Sequence, residues 1–182
     1  MRGYLHLSIA AALTLRRFRR DREGQVAIQF AMIAMPFFMM MFAIIETALI
    51  FFANQAMETA TQDTARLIMT GQVQLGGMNA ATFKTNLCTR LSGLLDCAGG
   101  VDVEVKSYPS FSSVNIPSPI SNGNYVNPTG FSPGSAGDIV VVRTYYQWPT
   151  FVVGFGYDAG NLNNHKRLLI GTAAFRNEPG PF

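Results

Sequence analysis

The feature that most constrains this chain is a run of 22 consecutive residues, 24–45, without an ionisable side chain. At about 1.5 Å of rise per residue, a helix over this run spans the roughly 30 Å hydrocarbon core of a bilayer. A soluble helix of this length needs a polar face, whereas here Gln29 is the only strongly polar side chain between Gln25 and Glu46. The run therefore predicts a transmembrane helix over residues 25–53. Pro36 is compatible with this helix because neighbouring groups in a bilayer can satisfy the freed carbonyl.

Charge is distributed unevenly around the apolar run. The first 23 residues contain six arginines against two acidic residues, whereas the remainder contains eight Lys and Arg against nine Asp and Glu. The formal net charge of +3 is therefore a property of the N-terminal segment, and it gives no support for nucleic-acid binding by the rest. Because positively charged flanks stay in the cytoplasm, the asymmetry predicts a cytoplasmic N-terminus and an exported C-terminal part. We expect a single-pass protein of the bacterial inner membrane with a periplasmic domain.

A shorter apolar segment, residues 5–15, precedes most of the arginines. Its 11 residues are too few to span a bilayer. One interpretation is the hydrophobic region of a secretory signal, although the basic residues follow this segment instead of preceding it. The other is a leader without chemistry of its own. We interpret residues 1–24 as a basic cytoplasmic leader.

Helical periodicity continues beyond the apolar run. Residues 53–68 keep an apolar stripe beside polar positions, so we expect the long helix to continue to about Thr70, with Gly71 as its stop. Asn79 is a suitable N-cap for a second helix from Ala80 to about Leu95. The apolar face of this second helix would comprise Phe83, Leu87, Leu91, Leu94 and Leu95.

Three later runs have the composition of β-strands: residues 101–108, 138–148 and 168–176. In the first run, valines alternate with charged residues, which indicates one buried face and one face in water. Residues 109–137 are rich in Ser, Pro, Gly and Asn and predict a long surface loop. The glycine-rich residues 150–166 predict an irregular connection that packs against the sheet or, alternatively, dips into the membrane surface.

Together these elements predict an α+β fold. A long N-terminal transmembrane helix continues into a small periplasmic domain, residues 71–182, with a second helix and a three-stranded, mainly antiparallel sheet.

The residues that could support catalysis or metal binding are few. Cys88 and Cys97 lie in the exported part, where an oxidising periplasm permits a disulfide, with free thiols as the alternative. These two cysteines and the distant His165 provide too few ligands for a metal site. Asp102 and Glu104 are two residues apart on a strand, so we expect both to solvate its wet face. We expect no enzymatic activity, no metal, no cofactor and no small-molecule substrate.

The sequence EGQVAIQFAMIAMP, residues 23–36, with the apolar run that follows it, resembles the N-terminus of TadE-like proteins, the pseudopilins or minor pilins of tight-adherence (Flp) pili. The closing segment GTAAFRNEP is also similar to endings in this family. The resemblance implies that a prepilin peptidase cleaves between Gly24 and Gln25 and that Phe30 is the aromatic residue of the motif. It further implies three kinds of partner: the inner membrane, other pilins or pseudopilins, and the Tad secretion platform.

One position departs from the family pattern. Pilins usually carry a glutamate at the fifth residue after the scissile glycine, where it is thought to neutralise the new N-terminal amine of a neighbouring subunit. Here this residue is Gln29, which forms hydrogen bonds but offers no charge. The substitution leaves open both the processing of the leader and the entry of this chain into a filament.

Three further residues of the long helix are candidates for contacts during assembly. Glu46 either pairs with a basic or hydrogen-bonding group of a partner helix or reaches water near the outer interface. Ala27 and Ala31, four residues apart, permit close approach of another helix. The predicted function is that of a membrane-anchored minor pilin in the assembly of tight-adherence pili for surface adhesion. The alternative is an anchored periplasmic binding or scaffold module that never polymerises.

Overall fold

The computed structural model describes residues 24–180 except Ser92, Leu94 and Phe155. The leader with its apolar segment 5–15, and Leu94 on the predicted face of the second helix, lie outside the described residues. The chain divides after Phe42 into two compact units, which we call the first unit and the second unit.

The long helix α1 spans Gly24–Met69, 46 residues, with Pro36 inside it. The prediction of one helix that continues beyond the apolar run to about Thr70 is confirmed. Gly71 adopts a left-handed backbone with φ of 75°, which glycine reaches without steric cost and which ends the helix. α1 is long and apolar enough to cross a membrane.

Three shorter helices follow α1 among the described residues: α2 (Gln72–Leu75), α3 (Ala80–Arg90) and α4 (Cys97–Gly100). Asn79 caps α3 as predicted, because its side-chain oxygen accepts a hydrogen bond from the backbone N–H of Thr82 at 2.9 Å. The predicted end at about Leu95 is wrong: the chain leaves the helical conformation at Leu91, and Gly93 has a φ of 88°.

The strands among the described residues are β1 (Val101–Tyr108), β2 (Ile120–Ser121), β3 (Asn124–Tyr125), β4 (Ile139–Pro149), β5 (Val153–Gly154), β6 (Tyr157–Asp158) and β7 (Lys166–Arg176). The three main strands form an antiparallel sheet in the order β1-β4-β7. Each lies within two residues of its predicted bounds. Two short ribbons, β2 with β3 and β5 with β6, lie in the connections between the main strands, and a 3₁₀ turn spans Phe111–Ser113.

One face of the sheet packs with the C-terminal half of α1. At the centre of this contact Thr61 Oγ1 lies 2.6 Å from Thr144 Oγ1, and Gly171 is the partner of Thr144 in the adjacent strand. A Cβ atom at residue 171 would lie 2.7 Å from Thr144 Oγ1 and 3.1 Å from the carbonyl oxygen of Met57. The glycine therefore permits the close approach of helix and sheet. The buried apolar residues at this contact include Ala53, Met57, Ala60, Ala65 and Ile68 of α1 and Val101, Val105, Val140, Val142 and Leu169 of the sheet.

The opposite face of the sheet is also covered. Tyr145 is fully buried there beside Leu162 and Leu168, with Ile120 and Tyr125 packed against them. The expectation that charged residues of β1 lie on a face in water is thus wrong for Glu104, which is 1% exposed. The physical reason is that the connections between the main strands fold back over this face and supply apolar side chains to it.

Candidate assembly surface

The first described residues of α1 are those of the proposed processing motif. Gly24 and Gln25 are both exposed, and no heavy atom lies within 4 Å of the position that a Cβ at Gly24 would occupy. Gln29 and Phe30 follow one turn further along and are exposed as well. The structure therefore presents the four motif residues on a single accessible stretch of helix.

The part of α1 in the first unit is apolar on all its sides. Most of its side chains are exposed, including the proposed packing pair Ala27 and Ala31. Water is a poor solvent for such a surface, so either lipid or other apolar helices must surround it. Exposed large apolar side chains here are Val26, Ile28, Phe30, Met32, Ile33, Met35, Phe37, Phe38, Met40 and Phe42.

Glu46 lies in the second unit, and the structure gives it partners within the same chain. It is 4% exposed, and its carboxylate accepts hydrogen bonds from the backbone N–H groups of Phe151 and Val152. Next to it, Tyr157 Oη lies 2.8 Å from Thr47 Oγ1. We call this set of contacts the Glu46 clamp. Neither sequence interpretation of Glu46, a partner helix or water, included this intramolecular arrangement, and its role between subunits stays a prediction.

The clamp has a simple chemical effect. The carboxylate satisfies two backbone donors of an irregular segment that has no strand neighbour at that point, and such donors are costly when buried without a partner. It thereby fastens the segment after β4 to α1.

A second buried carboxylate lies in the sheet. Glu104 Oε2 accepts hydrogen bonds from Arg143 Nη2 at 2.6 Å and from Tyr145 Oη at 3.0 Å, and Lys106 Nζ lies 2.5 Å from its Oε1. Arg143 also donates to the carbonyl of Pro117 at 2.9 Å, which holds the covering connection to the sheet. We call Glu104, Lys106, Arg143 and Tyr145 the Glu104 cluster.

The charges of this cluster are compensated. Burial raises the pKa of Glu104, but hydrogen bonds from Lys106, Arg143 and Tyr145 outweigh burial, so the net pKa is lowered. Burial raises the pKa of Tyr145 above its ordinary value of 10.0. The carboxylate thus stays ionised with its oxygens engaged, which suits a structural role. Among the described residues, no group of three or more His, Cys, Asp or Glu side chains is arranged to hold a metal ion.

The two cysteines are joined. Cys88, in α3, and Cys97, at the start of α4, form a disulfide with a Cα–Cα distance of 5.5 Å. The bond closes the turn after α3, and Cys97 packs in the same apolar cluster as Leu91 and Val101. The disulfide therefore connects α3 to α4, which directly precedes β1.

Sequence reasoning missed the partners of the two buried carboxylates. Arg143 and Tyr145 interrupt the valine-rich strand β4 on one face, and this polar pattern was the available signal for the Glu104 cluster. Glu46 binds backbone groups of Phe151 and Val152, which carry no side-chain signal at all.

The comparisons with known proteins agree with this picture at the N-terminal helix. Residues 24–66, which is 43 of the 182 residues, match the family model described as TadE-like protein. Comparisons with curated proteins and with solved structures found no match. The match begins at Gly24 and lies entirely within α1. The resemblance inferred from the EGQVAIQFAMIAMP segment is therefore confirmed, and the chain carries a TadE-like N-terminal helix.

Proposed function

We propose that this chain is a membrane-anchored minor pilin, or pseudopilin, that takes part in the assembly of tight-adherence pili. The observation that carries the proposal is the match to the TadE-like family over α1, whose first part, residues 24–42, exposes large apolar side chains on all sides. Such a helix is stable in lipid, and it is equally suited to packing among other apolar helices. A pilus subunit needs both environments, one before and one after assembly.

In this proposal the leader lies in the cytoplasm and residues 71–182 form a periplasmic domain. The arginine-rich flank before α1 and the acidic Glu58 and Asp63 after the apolar run support this orientation. The disulfide supports an oxidising compartment for the domain. A prepilin peptidase removes residues 1–24, and the Tad secretion platform and other pilins then engage the mature subunit.

The exposure of Gly24 and Gln25 is compatible with access by a peptidase. Gln29 favours the second candidate function, an anchored periplasmic scaffold that is not polymerised, because this residue supplies no charge for the amine created by cleavage. The two functions predict different N-terminal residues and different locations for the mature protein.

The test is N-terminal sequencing of the protein recovered from sheared surface filaments and from membranes. Subunits in filaments that begin at Gln25 support the minor pilin, whereas full-length protein confined to membranes contradicts it and supports the scaffold. Gly24→Val should abolish processing. Ala48→Val, at another exposed position of α1, is the matched control and should leave processing intact.

A further inference from the structure

The segment that follows β4 exposes large apolar side chains although it is fastened to the protein by its backbone. Phe151 is 76% exposed and Val153 is 50% exposed. They lie just beyond Pro149, at the end of a strand whose preceding side chains are mostly buried. We call residues 151–153 the apolar tip.

Two backbone N–H groups of the apolar tip have partners within the chain. The N–H groups of Phe151 and Val152 donate to the Glu46 carboxylate, and Val153 begins the two-stranded ribbon of β5 and β6. The side chains of Phe151 and Val153 are therefore exposed while the backbone N–H groups of Phe151 and Val152 have partners. Such pairing favours irregular backbone near hydrocarbon, where water is not available to satisfy free N–H groups.

The apolar tip lies beside an apolar part of α1. Glu46 and Thr47, which hold the segment, directly follow the 22-residue run without ionisable side chains. Around them α1 continues to expose large apolar residues, so the tip extends an apolar surface that already exists in the second unit. These α1 residues are Ile44, Ile45, Leu49, Phe51 and Phe52.

Polar groups suited to lipid headgroups are found close by. Tyr157, an aromatic residue with a hydroxyl, contacts Thr47 through its oxygen, and tyrosine is enriched at membrane interfaces. Lys166 and Arg167 are exposed and pair in the sheet with Pro149 and Trp148, at the same end of β4 as the tip. Apolar side chains flanked by cations are typical of segments that lie in a membrane interface.

We propose that the apolar tip inserts into the outer leaflet interface of the membrane that α1 crosses, as a second lipid contact of the chain. The occupant of this surface is lipid, not a second copy of the chain. The tip adjoins the exposed apolar residues of α1 in the second unit, and the cations Lys166 and Arg167 lie at the same end of β4 as the tip. The Glu46 clamp then acts as the connection that holds the tip at the interface. The inference rests on the proposed membrane anchor.

The test uses the full-length chain in bilayers of phosphatidylethanolamine and phosphatidylglycerol, labelled with an environment-sensitive fluorophore at Phe151→Cys. Phe111→Cys is the matched control, since Phe111 is also an exposed phenylalanine, 65%, but follows β1 at the opposite end of the sheet. Phe37→Cys, in the apolar run, reports the anchor itself. Labelling without reductant leaves the Cys88–Cys97 disulfide intact, and Val153→Cys provides a second position in the tip.

We expect spin-labelled lipids to quench the probe at residues 151 and 153 several-fold more strongly than at 111, and aqueous iodide to show the reverse order. Equal behaviour of 151 and 111, with lipid quenching at 37, overturns the tip contact while leaving the anchor in place. Absence of lipid quenching at 37 overturns the anchor as well. Protection of 151 that depends on protein density without lipid quenching identifies a second copy as the occupant and also overturns the proposal.

Discussion

The guanidinium Nη2 of Arg143 lies 2.6 Å from Oε2 of Glu104, directly across the pairing of β1 with β4. Both side chains are nearly inaccessible to water, and the Arg143 guanidinium carbon also lies 5.5 Å from the centre of the Tyr145 ring. An ion pair at this position contributes to stability only while Glu104 is ionised. The pair therefore makes the stability of the domain depend on pH.

The sign of this dependence follows from the lowered pKa of Glu104 in the folded chain. A carboxyl whose folded pKa lies below its ordinary value of 4.5 stabilises the fold above that pH. The stabilisation is lost as the pH falls through the folded pKa. We expect the free energy of unfolding of the full chain in detergent to fall on acidification below about pH 4.5. Guanidinium titrations followed by the fluorescence of Trp148, the single tryptophan, measure it.

The substitution Glu104→Gln tests the origin of that acid sensitivity. Removal of one partner leaves a buried guanidinium without its counter-charge, so we expect a loss of about 3 kcal/mol at pH 7. The further loss between pH 5 and 3 should be smaller than in the native chain, because the titrating group is gone. Glu58→Gln, on α1 outside the cluster, is the control and should retain the native pH profile. Parallel curves for Glu104→Gln and the native chain would assign the acid sensitivity to other groups.

The close approach of α1 to the sheet depends on the absence of a side chain at Gly171. We expect Gly171→Ala to lower the free energy of unfolding by about 2 kcal/mol, because the added methyl group must displace α1 from the sheet at Thr61 and Thr144. Denaturant titration measures the change. Gly99→Ala is the matched control, since a Cβ there lies at an ordinary 3.6 Å from its nearest neighbour, Asp96 Oδ2. A native-like midpoint for Gly171→Ala would contradict tight packing at this crossing.

The disulfide should contribute measurably to the stability of the domain. Cys88 and Cys97 are nine residues apart, and closing a loop of this size in the unfolded chain is worth about 2–3 kcal/mol in the chain-entropy model. The double variant Cys88→Ser and Cys97→Ser is expected to lose that amount in a denaturant titration. Reductant should destabilise the native chain and leave the double variant unchanged. A thiol assay on the denatured, non-reduced protein that labels both cysteines would show that the bond does not form.

The Glu46 clamp can be tested by amide hydrogen exchange. Glu46→Ala removes the acceptor for two backbone N–H groups, each worth about 1 kcal/mol. We expect faster exchange at Phe151 and Val152 and unchanged exchange in β1 and β4. Glu58→Ala is the control for loss of a carboxylate from α1. Unchanged exchange at both amides in Glu46→Ala would show that the clamp does not hold the segment.

Local sequence signals were sufficient to predict the long helix, the start of α3 and the three main strands. α1 and the start of α3 were predictable because their signals are local in sequence. These signals are the uninterrupted apolar run, the glycine at residue 71 and the side chain of Asn79. The alternation in β1 likewise identified a strand with the observed bounds.

The environment of the buried carboxylates was not predictable in the same way. The partners of Glu104 in β4 lie 39 and 41 residues away, and those of Glu46 lie 105 and 106 residues away. Alternation in β1 reports which side chains share a face, but it does not report what covers that face. The charged face of β1 was therefore assigned to water, whereas the connection that contains Pro117 and Tyr125 covers it.

Gln29 provides the sharpest test of the proposed pilus role. Cleavage after Gly24 would create a positive amine at Gln25, and in an apolar environment this charge needs a carboxylate partner. Gln29→Glu supplies one on an exposed part of α1, whereas Gln55→Glu adds the same charge at an exposed position outside the apolar run. If the new pair couples by about 1.4 kcal/mol, the ratio of filament-bound to membrane-bound subunits should rise about tenfold for Gln29→Glu and stay unchanged for Gln55→Glu. Quantitative immunoblots of sheared filaments and membranes measure this ratio. An equal ratio in both variants and the native chain would mean that charge at residue 29 does not limit assembly.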